Sequence, residues 1–176
     1  MSLFKHALFL IGMLLAITVS AQSIKDVRIN EIQVYNVDGF RNEYGQATGW
    51  IELYNKGYGR VNVAGCFLKV KGRTYQIPKG DPATVIPARG YLVFFTDEMP
   101  NRGTFHTNFT LENTNFIELY DVDDNLIDAF RFNPADMAVG VSYGWIEDQD
   151  GSEKLSSLPS TTPGGNNNTE PKVHRS

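Results

Sequence analysis

The chain has 176 residues, of which 41% are hydrophobic, 12% aromatic and 20% charged. This composition is typical of one globular domain with a buried core, and it excludes a disordered chain or a fibrous repeat. The 16 Lys and Arg residues against 20 Asp and Glu residues give a net charge of −4, which does not favour nucleic acid or an anionic membrane as a partner. The single cysteine, Cys66, excludes an intramolecular disulfide and a zinc site built from thiolates alone.

The N-terminus has the pattern of a secretory signal peptide. Lys5 precedes an apolar run from residue 7 to 19, and small residues come before the expected cleavage ahead of Gln22. This run is shorter than the roughly 20 residues needed to span a bilayer, which favours cleavage; retention as an anchor stays open. We therefore expect a protein that is periplasmic, at the cell surface or secreted, without stable membrane insertion after cleavage. Removal of residues 1–21, of which Lys5 is the only charged one, leaves 155 residues and a net charge of −5.

Residues 22–158 have the sequence pattern of an all-β domain. Short runs rich in Val, Ile, Tyr and Phe alternate with clusters of Gly, Asn, Asp and Pro, and no segment keeps a helical period. Short strands separated by frequent turns predict a β-sandwich. Residues 91–95 are apolar throughout, which predicts a central strand covered on both faces. The expected strands are 27–35, 50–54, 61–71, 74–77, 91–96, 116–120, 125–132 and 141–146.

Three segments stand out from this rhythm. Residues 36–49 are polar and long for a hairpin, so they form either a functional loop or a passive connection. Residues 159–176 contain almost no apolar side chains and predict a flexible C-terminal tail. Cys66 lies in the apolar run 61–68, so we expect its thiol to pack in the core in preference to forming an intermolecular bridge.

Two segments share one pattern. Residues 50–55 read Trp-Ile-Glu-Leu-Tyr-Asn and residues 116–121 read Phe-Ile-Glu-Leu-Tyr-Asp. In each, alternation puts Ile and Leu on one face of a strand and the aromatic residue, Glu and Tyr on the other. Duplication of half a sandwich and convergence on the same packing demands both explain this echo, and we favour convergence because the flanking sequence does not repeat.

Several short motifs occur in a fixed order along the chain. They are Ile-Asn-Glu-Ile at 29–32, the echo motifs at 50–55 and 116–121, Val-Asn-Val-Ala-Gly-Cys-Phe-Leu at 61–68, Ile-Pro at 77–78, Ile-Pro-Ala-Arg-Gly-Tyr-Leu-Val-Phe-Phe at 86–95, His-Thr-Asn-Phe at 106–109, Leu-Ile-Asp at 126–128 and Thr-Pro-Gly at 162–164. Together these motifs resemble the lamin tail domain family. The resemblance implies an immunoglobulin-like β-sandwich, and it brings no catalytic residues.

A narrower similarity concerns the loop 38–49, Gly65-Cys66 and residues 102–106. These are similar to an exported bacterial branch, often encoded beside or joined to the small membrane gamma chain of sodium-pumping biotin-dependent decarboxylases. The resemblance implies an accessory periplasmic role with a membrane decarboxylase or ion-pump subunit as partner. The chain departs from the family in having Cys66 where many members carry Trp, and Trp145 where Arg is usual after residues 142–144.

Two patterns suggest catalysis, and both lack the expected context. Residues 140–144 match the nucleophile elbow that exposes a serine, here Ser142, but no helical run follows and the only downstream histidine is His174 in the expected tail. Glu52 and Glu118 would form a glycosidase-like carboxylate pair if the echo strands were neighbours. Outward-facing glutamates on a half-solvated sheet are the ordinary case. We therefore expect no enzyme, with a hydrolase using Ser142 as a disfavoured alternative.

The acidic turn after residue 120 is a weak candidate for calcium binding. Asp121, Asp123 and Asn125 have the spacing of hard oxygen ligands. The sixth position is not glycine, and Phe132 stands where a bidentate glutamate belongs, which favours a hairpin turn. We expect no metal site and no cofactor.

The function expected from these patterns is that of a non-catalytic binding or assembly module with a protein partner. The basic residues are scattered along the chain, which disfavours nucleic acid. Aromatic side chains bury a large area at modest entropic cost. Core packing is the alternative for each candidate, and it is favoured for Trp50 and Trp145; binding to carbohydrate or the cell envelope is the alternative function. The candidate binding residues are Tyr44, Trp50, Tyr54, Tyr58 and Trp145.

Overall fold

The computed structural model describes residues 23–158 and 160–168. The expected signal peptide, residues 1–21, lies outside the described residues, as do residues 169–176 of the expected tail. The described part of the chain is built from strands and single-turn 3-10 helices, which confirms the predicted all-β class. No helix in these two ranges has the length and apolar character that crossing a membrane requires.

The strands form two main sheets and one short ribbon. The five-stranded sheet has the order β11-β10-β1-β2-β7, the four-stranded sheet has the order β5-β4-β8-β9, and β3 pairs with β6. All of these pairs are antiparallel. The strands are β1 (Val27–Gln33), β2 (Trp50–Asn55), β3 (Val61–Asn62), β4 (Phe67–Val70), β5 (Arg73–Gln76), β6 (Val85–Ile86), β7 (Tyr91–Phe95), β8 (Phe116–Tyr120), β9 (Leu126–Arg131), β10 (Ser142–Glu147) and β11 (Glu153–Leu158).

One hydrophobic core lies between the two sheets. Ile51 and Leu53 of β2 and Ile117 and Leu119 of β8 are fully buried in it, because the alternation of a strand turns every second side chain inward. Cys66 belongs to the same core as a free thiol, and burial raises its pKa to about 11. The expectation that Cys66 packs in the core is confirmed.

A β-bulge in β1 decides which of its side chains face outward. The register of β1 against β2 skips one residue at Asn30, so that Ile29 and Ile32 both reach the core. An uninterrupted strand would turn these two residues to opposite faces. The bulge also makes Glu31 the direct cross-strand partner of Glu52 on the outer face of the sheet.

The observed strands differ from the predicted ones in two respects. Residues 61–71 form two strands because a turn separates them, in which Gly65 has a φ of 82° and its N donates to Ile77 O at 2.8 Å. The strands β6 and β11 are absent from the prediction. β11 consists mainly of exposed polar residues, so its sequence carries no apolar alternation, and its pairing with β10 makes it a strand.

The prediction of a central strand at 91–95 is wrong, since β7 is an edge strand of the five-stranded sheet. Its apolar side chains are covered by other parts of the chain. Phe40 stacks on Phe95 with ring centroids 5.6 Å apart, and Phe105 packs edge-on against Phe94 at 5.5 Å. The backbone edge is capped as well, because Phe95 N donates to Phe105 O at 2.7 Å.

Residues 160–168, here called the C-terminal strap, lie against the outer face of the five-stranded sheet. Thr162 N donates to Glu31 Oε1 at 3.1 Å, and Asn167 Nδ2 donates to Trp145 O at 3.0 Å. In this segment the expected tail contacts the sheet, and its flexibility stays a prediction. The strap has almost no apolar side chains of its own, and its contacts with the sheet are hydrogen bonds to polar groups.

Candidate functional site

One of the candidate aromatic residues, Trp50, is buried. Its side chain is fully buried, its Nε1 donates to Gln33 Oε1 at 2.8 Å, and Phe40 packs edge-on against its ring. The loop of residues 36–49 covers it. The amide of Asn36 holds this loop by donating to the carbonyl of Phe40 at 2.6 Å and to that of Thr48 at 2.9 Å. The structure thus buries Trp50 under this loop on the outer face of the five-stranded sheet, and Trp50 does not lie on a contact surface.

Tyr44 lies on the exposed side of the same loop. Its side chain is 54% exposed, the guanidinium of Arg102 sits 4.7 Å from its ring centroid, and its ring packs edge-on against His106 at 5.7 Å. These contacts are near Phe95, which pairs with the first residue of β2. Tyr44 is therefore separated from the end of β2 that carries Tyr54 by four residues of strand, about 13 Å.

Sequence reasoning misses a hydrogen-bonded network beneath Tyr44, in which the side chains of His106 and Asp97 are buried and that of Glu43 is exposed. His106 Nδ1 lies 2.7 Å from Asp97 Oδ2, and His106 Nε2 lies 3.0 Å from Glu43 Oε1. Burial by itself would lower the pKa of His106, but the hydrogen bonds with Glu43 and Asp97 raise it above its ordinary value. The hydrogen bond with His106 in turn lowers the pKa of Glu43. Glu43 is 63 residues away from His106 in sequence, so only the fold shows that this network fixes the loop to the segment after β7.

The other three candidates come together at the opposite end of β2. The guanidinium carbon of Arg28 lies 5.4 Å from the ring centroid of Tyr54 and 5.9 Å from that of Trp145. The guanidinium carbon of Arg89 lies 5.4 Å from Tyr54 and 5.9 Å from Tyr58. These five residues alternate cations with aromatic rings. We call them the cation–aromatic face.

A polar cavity opens in this face. Three cationic side chains, Arg28, Lys56 and Arg89, line it together with residues 166–168 of the C-terminal strap. Arg28 Nη1 donates to Glu153 Oε1 at 2.6 Å, while the buried Arg28 Nε has no partner within the described ranges. Arg89 Nη1 donates to Lys56 O at 2.9 Å. Neither Arg89 nor Lys56 has a carboxylate within ion-pair distance among residues 23–158 and 160–168.

The backbone of Arg89 is strained. Its φ is 56°, in the left-handed region that favours glycine, whereas an L residue with a side chain pays about 1 kcal/mol or more there. The turn is closed by Gly90 N, which donates to Pro87 O at 3.0 Å. Glu98 and Asp124 adopt the same region, with φ values of 58° and 64°.

Beside the cavity, the strap covers a buried pair of carboxyl groups. Glu31 and Glu52 are direct cross-strand partners, and both side chains are fully buried. Glu52 accepts hydrogen bonds from Asn30 Nδ2 at 2.9 Å and from Gly164 N. Burial raises the pKa of Glu52 to about 8, against which the two hydrogen bonds work, and the nearby Glu31 raises it further. The pair is therefore held with at least one proton at neutral pH.

The second carboxyl group is tied to β10 and to the strap. Glu31 Oε1 accepts from Ser142 Oγ and from Thr162 N, and Glu31 Oε2 accepts from Thr162 Oγ1 at 2.7 Å. Burial raises the pKa of Glu31, although these hydrogen bonds oppose the increase. The carboxyl pair joins β1, β2, β10 and the strap, so it positions the strap that forms one wall of the cavity.

The comparison with known families fits this architecture. The family described as Lamin Tail Domain matches residues 20–134. The chain belongs to the lamin tail domain family. The immunoglobulin-like sandwich that the resemblance implied is thereby confirmed. The match ends before β10, so that β10, β11 and the C-terminal strap of this lamin tail domain lie beyond it. No curated protein matches the chain significantly.

The two catalytic patterns do not form catalytic sites in this lamin tail domain. Ser142 is fully buried within β10, where its hydroxyl donates to Glu31, so it does not stand on an exposed turn before a helix. His174 lies outside the described residues. Glu52 and Glu118 belong to different sheets, and each is flanked by Ile and Leu that point into the common core. The two glutamates therefore face away from each other on opposite outer surfaces, and the disfavoured alternative of a carboxylate pair does not form.

The carboxylate of Asp121 in the acidic turn accepts hydrogen bonds from the backbone of the same turn. Asp121 Oδ1 accepts from Asp123 N at 2.9 Å and from Asn125 N at 2.8 Å, which closes the hairpin between β8 and β9. These hydrogen bonds, led by those from Asn125, lower the pKa of Asp121. Asp124 pairs with Lys69. Within the described ranges of this lamin tail domain, no group of three or more His, Cys, Asp or Glu side chains is arranged to hold a metal ion.

Proposed function

We propose that this lamin tail domain is a non-catalytic binding module that contacts a protein partner through the cation–aromatic face. The observation that carries the proposal is the side chain of Tyr58, which is 93% exposed and lies beside Arg89. Tyr, Trp and Arg are the residues that contribute most binding energy in protein interfaces. The rings and guanidinium groups already hold each other in place, so a partner meets a surface that loses little entropy on binding.

Absence of catalysis is supported by the way in which the chemically capable side chains are used. The carboxyl pair and Ser142 hydrogen-bond to each other or to the strap, and His106 is buried between two carboxylates. Each of these groups is engaged in holding one segment of the chain on another. The family resemblance, too, brings no catalytic residues.

The proposal places the module outside the cytoplasm. This rests on the signal-peptide pattern of residues 1–21. The similarity to exported bacterial members favours a membrane decarboxylase or ion-pump subunit as the partner. N-terminal sequencing of the protein from its source cells tests export, and we expect the mature chain to begin at Gln22.

Site-specific photocrosslinking tests the binding surface. A photoreactive phenylalanine derivative replaces Tyr58 in one variant and Val122 in a control variant. Val122 is 53% exposed and lies on the β8–β9 hairpin of the four-stranded sheet, away from the cation–aromatic face. We expect a discrete crosslinked product at position 58 and none at position 122 after irradiation of intact source cells.

Mass spectrometry of the product identifies the partner. A pump subunit crosslinked only at position 58 would support both the surface and the accessory role. The same product at both positions, or no product at position 58, would refute the cation–aromatic face as the contact surface.

A further inference from the structure

We propose that the cavity lined by Arg28, Lys56 and Arg89 binds a carboxylate side chain supplied by the protein partner. This inference deepens the proposed function and rests on it, since it names the chemical group that the cation–aromatic face recognises. The cavity would act as a socket at the centre of the contact, with Tyr58 and Trp145 around it.

The charge of the cavity calls for an anion. Three cationic side chains line it, and the described residues supply an ion-pair partner only to Arg28, which pairs with Glu153. Arg28 still has its Nε buried without an acceptor. Glu147 and Glu153 also line the cavity, which leaves an excess of one positive charge.

This small excess favours a singly charged ligand. A carboxylate balances it, whereas a doubly charged phosphate group would meet repulsion from Glu147 and Glu153. Guanidinium groups match carboxylate geometry with two parallel hydrogen bonds. The geometry thus fits the side chain of an aspartate or glutamate.

Both guanidinium groups are held in place before a ligand arrives. Each lies 5.4 Å from the ring centroid of Tyr54, so they cannot be more than twice that distance apart. Trp145 flanks Arg28, and Tyr58 flanks Arg89. Side chains fixed in this way lose less entropy when they bind than free surface arginines do.

The C-terminal strap completes the socket. Asn167 Nδ2 donates to Trp145 O at 3.0 Å, and Asn168 Oδ1 accepts from Glu147 N at 3.0 Å. These bonds seat residues 166–168 against β10 as one wall of the cavity. The socket therefore assembles only when the strap is seated, which links it to the buried carboxyl pair beneath.

A protein carboxylate fits better than an acidic sugar. Sugar rings bind by stacking on free aromatic faces. The ring of Tyr54 stacks on Tyr91 at 4.7 Å and also contacts the two guanidinium groups, and Trp145 carries the guanidinium of Arg28. The aromatic rings here serve to position cations. An acidic side chain needs only those cations, and the exposed Tyr58 beside them is suited to a peptide contact.

Arg89 offers a sharp test because its backbone conformation favours glycine. Replacement by glycine removes the guanidinium group and relieves the strained φ of 56°. Arg89→Gly should therefore fold with an unchanged unfolding midpoint. Arg131→Ala is the matched control, since Arg131 is an exposed arginine on the four-stranded sheet that lies over Phe116 and near Glu118. Lys56→Ala is a second variant of the socket.

The experiment titrates the purified protein with poly-L-glutamate, polygalacturonate or inorganic phosphate and follows binding by calorimetry. We expect poly-L-glutamate to bind, with an affinity that falls about tenfold in Arg89→Gly, about threefold in Lys56→Ala and stays within about twofold in Arg131→Ala. Loss of binding after removal of residues 160–176 would further support the strap as a wall of the socket.

Three outcomes would overturn the inference. They are absence of poly-L-glutamate binding, an equal loss in Arg89→Gly and Arg131→Ala, and tighter binding of polygalacturonate or phosphate than of poly-L-glutamate. None of these affects the crosslink at position 58. A crosslink without carboxylate binding would leave the contact surface in place and remove only the socket, whereas loss of the crosslink would remove the surface.

Discussion

The strands β2 and β8 carry the same sequence pattern and occupy equivalent positions in their sheets, yet their glutamates differ in burial and in hydrogen-bond partners. Each is the second strand from an edge of its sheet, and each sends Ile and Leu into the core. Glu52 of β2 is fully buried under the C-terminal strap. Glu118 of β8 has an exposed fraction of 19%, accepts from Tyr120 Oη at 3.0 Å and lies 3.6 Å from Arg131 Nη2.

The tyrosines of the two strands also differ, in the cations that lie near their rings. Tyr120 has one cation over its ring, Lys69, whose Nζ lies 3.8 Å from the centroid. Tyr54 has two, Arg28 and Arg89, together with the stacked ring of Tyr91. The inner face of each strand follows from its own alternation, whereas the outer face depends on which distant segment covers it.

The largest expected effect concerns the pH dependence of stability. Burial raises the pKa of Glu52 from 4.5 to about 8 in the folded protein. The unfolded chain releases this proton as the pH rises through 4.5, but the folded protein keeps it. The stability contributed by protonated Glu52 is therefore complete below pH 4.5 and is lost as the pH rises towards 8. We expect the free energy of unfolding from urea denaturation to fall by at most about 5 kcal/mol over this range.

The variant Glu52→Gln separates this contribution from others. Glu31 and His106 also have raised pKa values, so their contributions to stability fall in the same direction as the pH rises. Glu52→Gln should flatten most of the fall, while Glu118→Gln should leave it unchanged. A fall of equal size in Glu52→Gln and the native protein would show that Glu52 is not the group responsible.

A smaller effect is expected from truncation of the two glutamates at a fixed pH of about 6. Glu52→Ala removes the acceptor of the backbone N of Gly164 and one of the two acceptors of the Asn30 amide, which keeps its hydrogen bond to Asn167 Oδ1. We expect this to lower the free energy of unfolding by about 2–4 kcal/mol, against less than about 1 kcal/mol for Glu118→Ala. Equal losses in the two variants, measured by urea denaturation, would contradict the different roles assigned to the two strands.

The smallest effect concerns the strap itself. Thr162→Ala removes the hydrogen bond from Thr162 Oγ1 to Glu31 Oε2 and should cost about 1 kcal/mol. Thr161 is the matched control, because its side chain makes no hydrogen bond within the described ranges. Thr161→Ala should change the free energy of unfolding by less than about 0.5 kcal/mol. If Thr162→Ala also changed the free energy of unfolding by less than about 0.5 kcal/mol, the side chain of Thr162 would not hold the strap.

The strands were open to prediction from sequence to the extent that they alternate. β2, β8 and β10 are short, apolar on one face and bounded by turn residues, so their existence follows from local pattern. β11 has no such pattern and depends on pairing with β10. The edge position of β7 was unpredictable for a similar reason, because Phe40 and Phe105 supply from elsewhere the cover that a neighbouring strand would give.

The candidate site was predictable only as a set of residue types. Exposed aromatic residues were expected to bind, but of the three that contact Arg28 or Arg89 only Tyr58 is largely exposed, whereas Tyr54 is buried and Trp145 packs against the core as well. Their arginine partners are spread through the sequence, and Trp50 satisfies the same compositional rule while lying buried under the loop 36–49. Whether an aromatic side chain faces solvent depends on what packs against it, which no local pattern contains.

By itself, the sequence determined the class of the fold, the inward residues of its main strands and the burial of Cys66, because a strand's period of two acts within a few residues. Only the tertiary structure decided that Glu52 is buried. A bulge at Asn30 turns Glu31 towards it, and Gly164, distant in sequence, closes over the pair. Burial of a charge depends on all the segments that exclude water from it, and those segments meet only when the chain has folded.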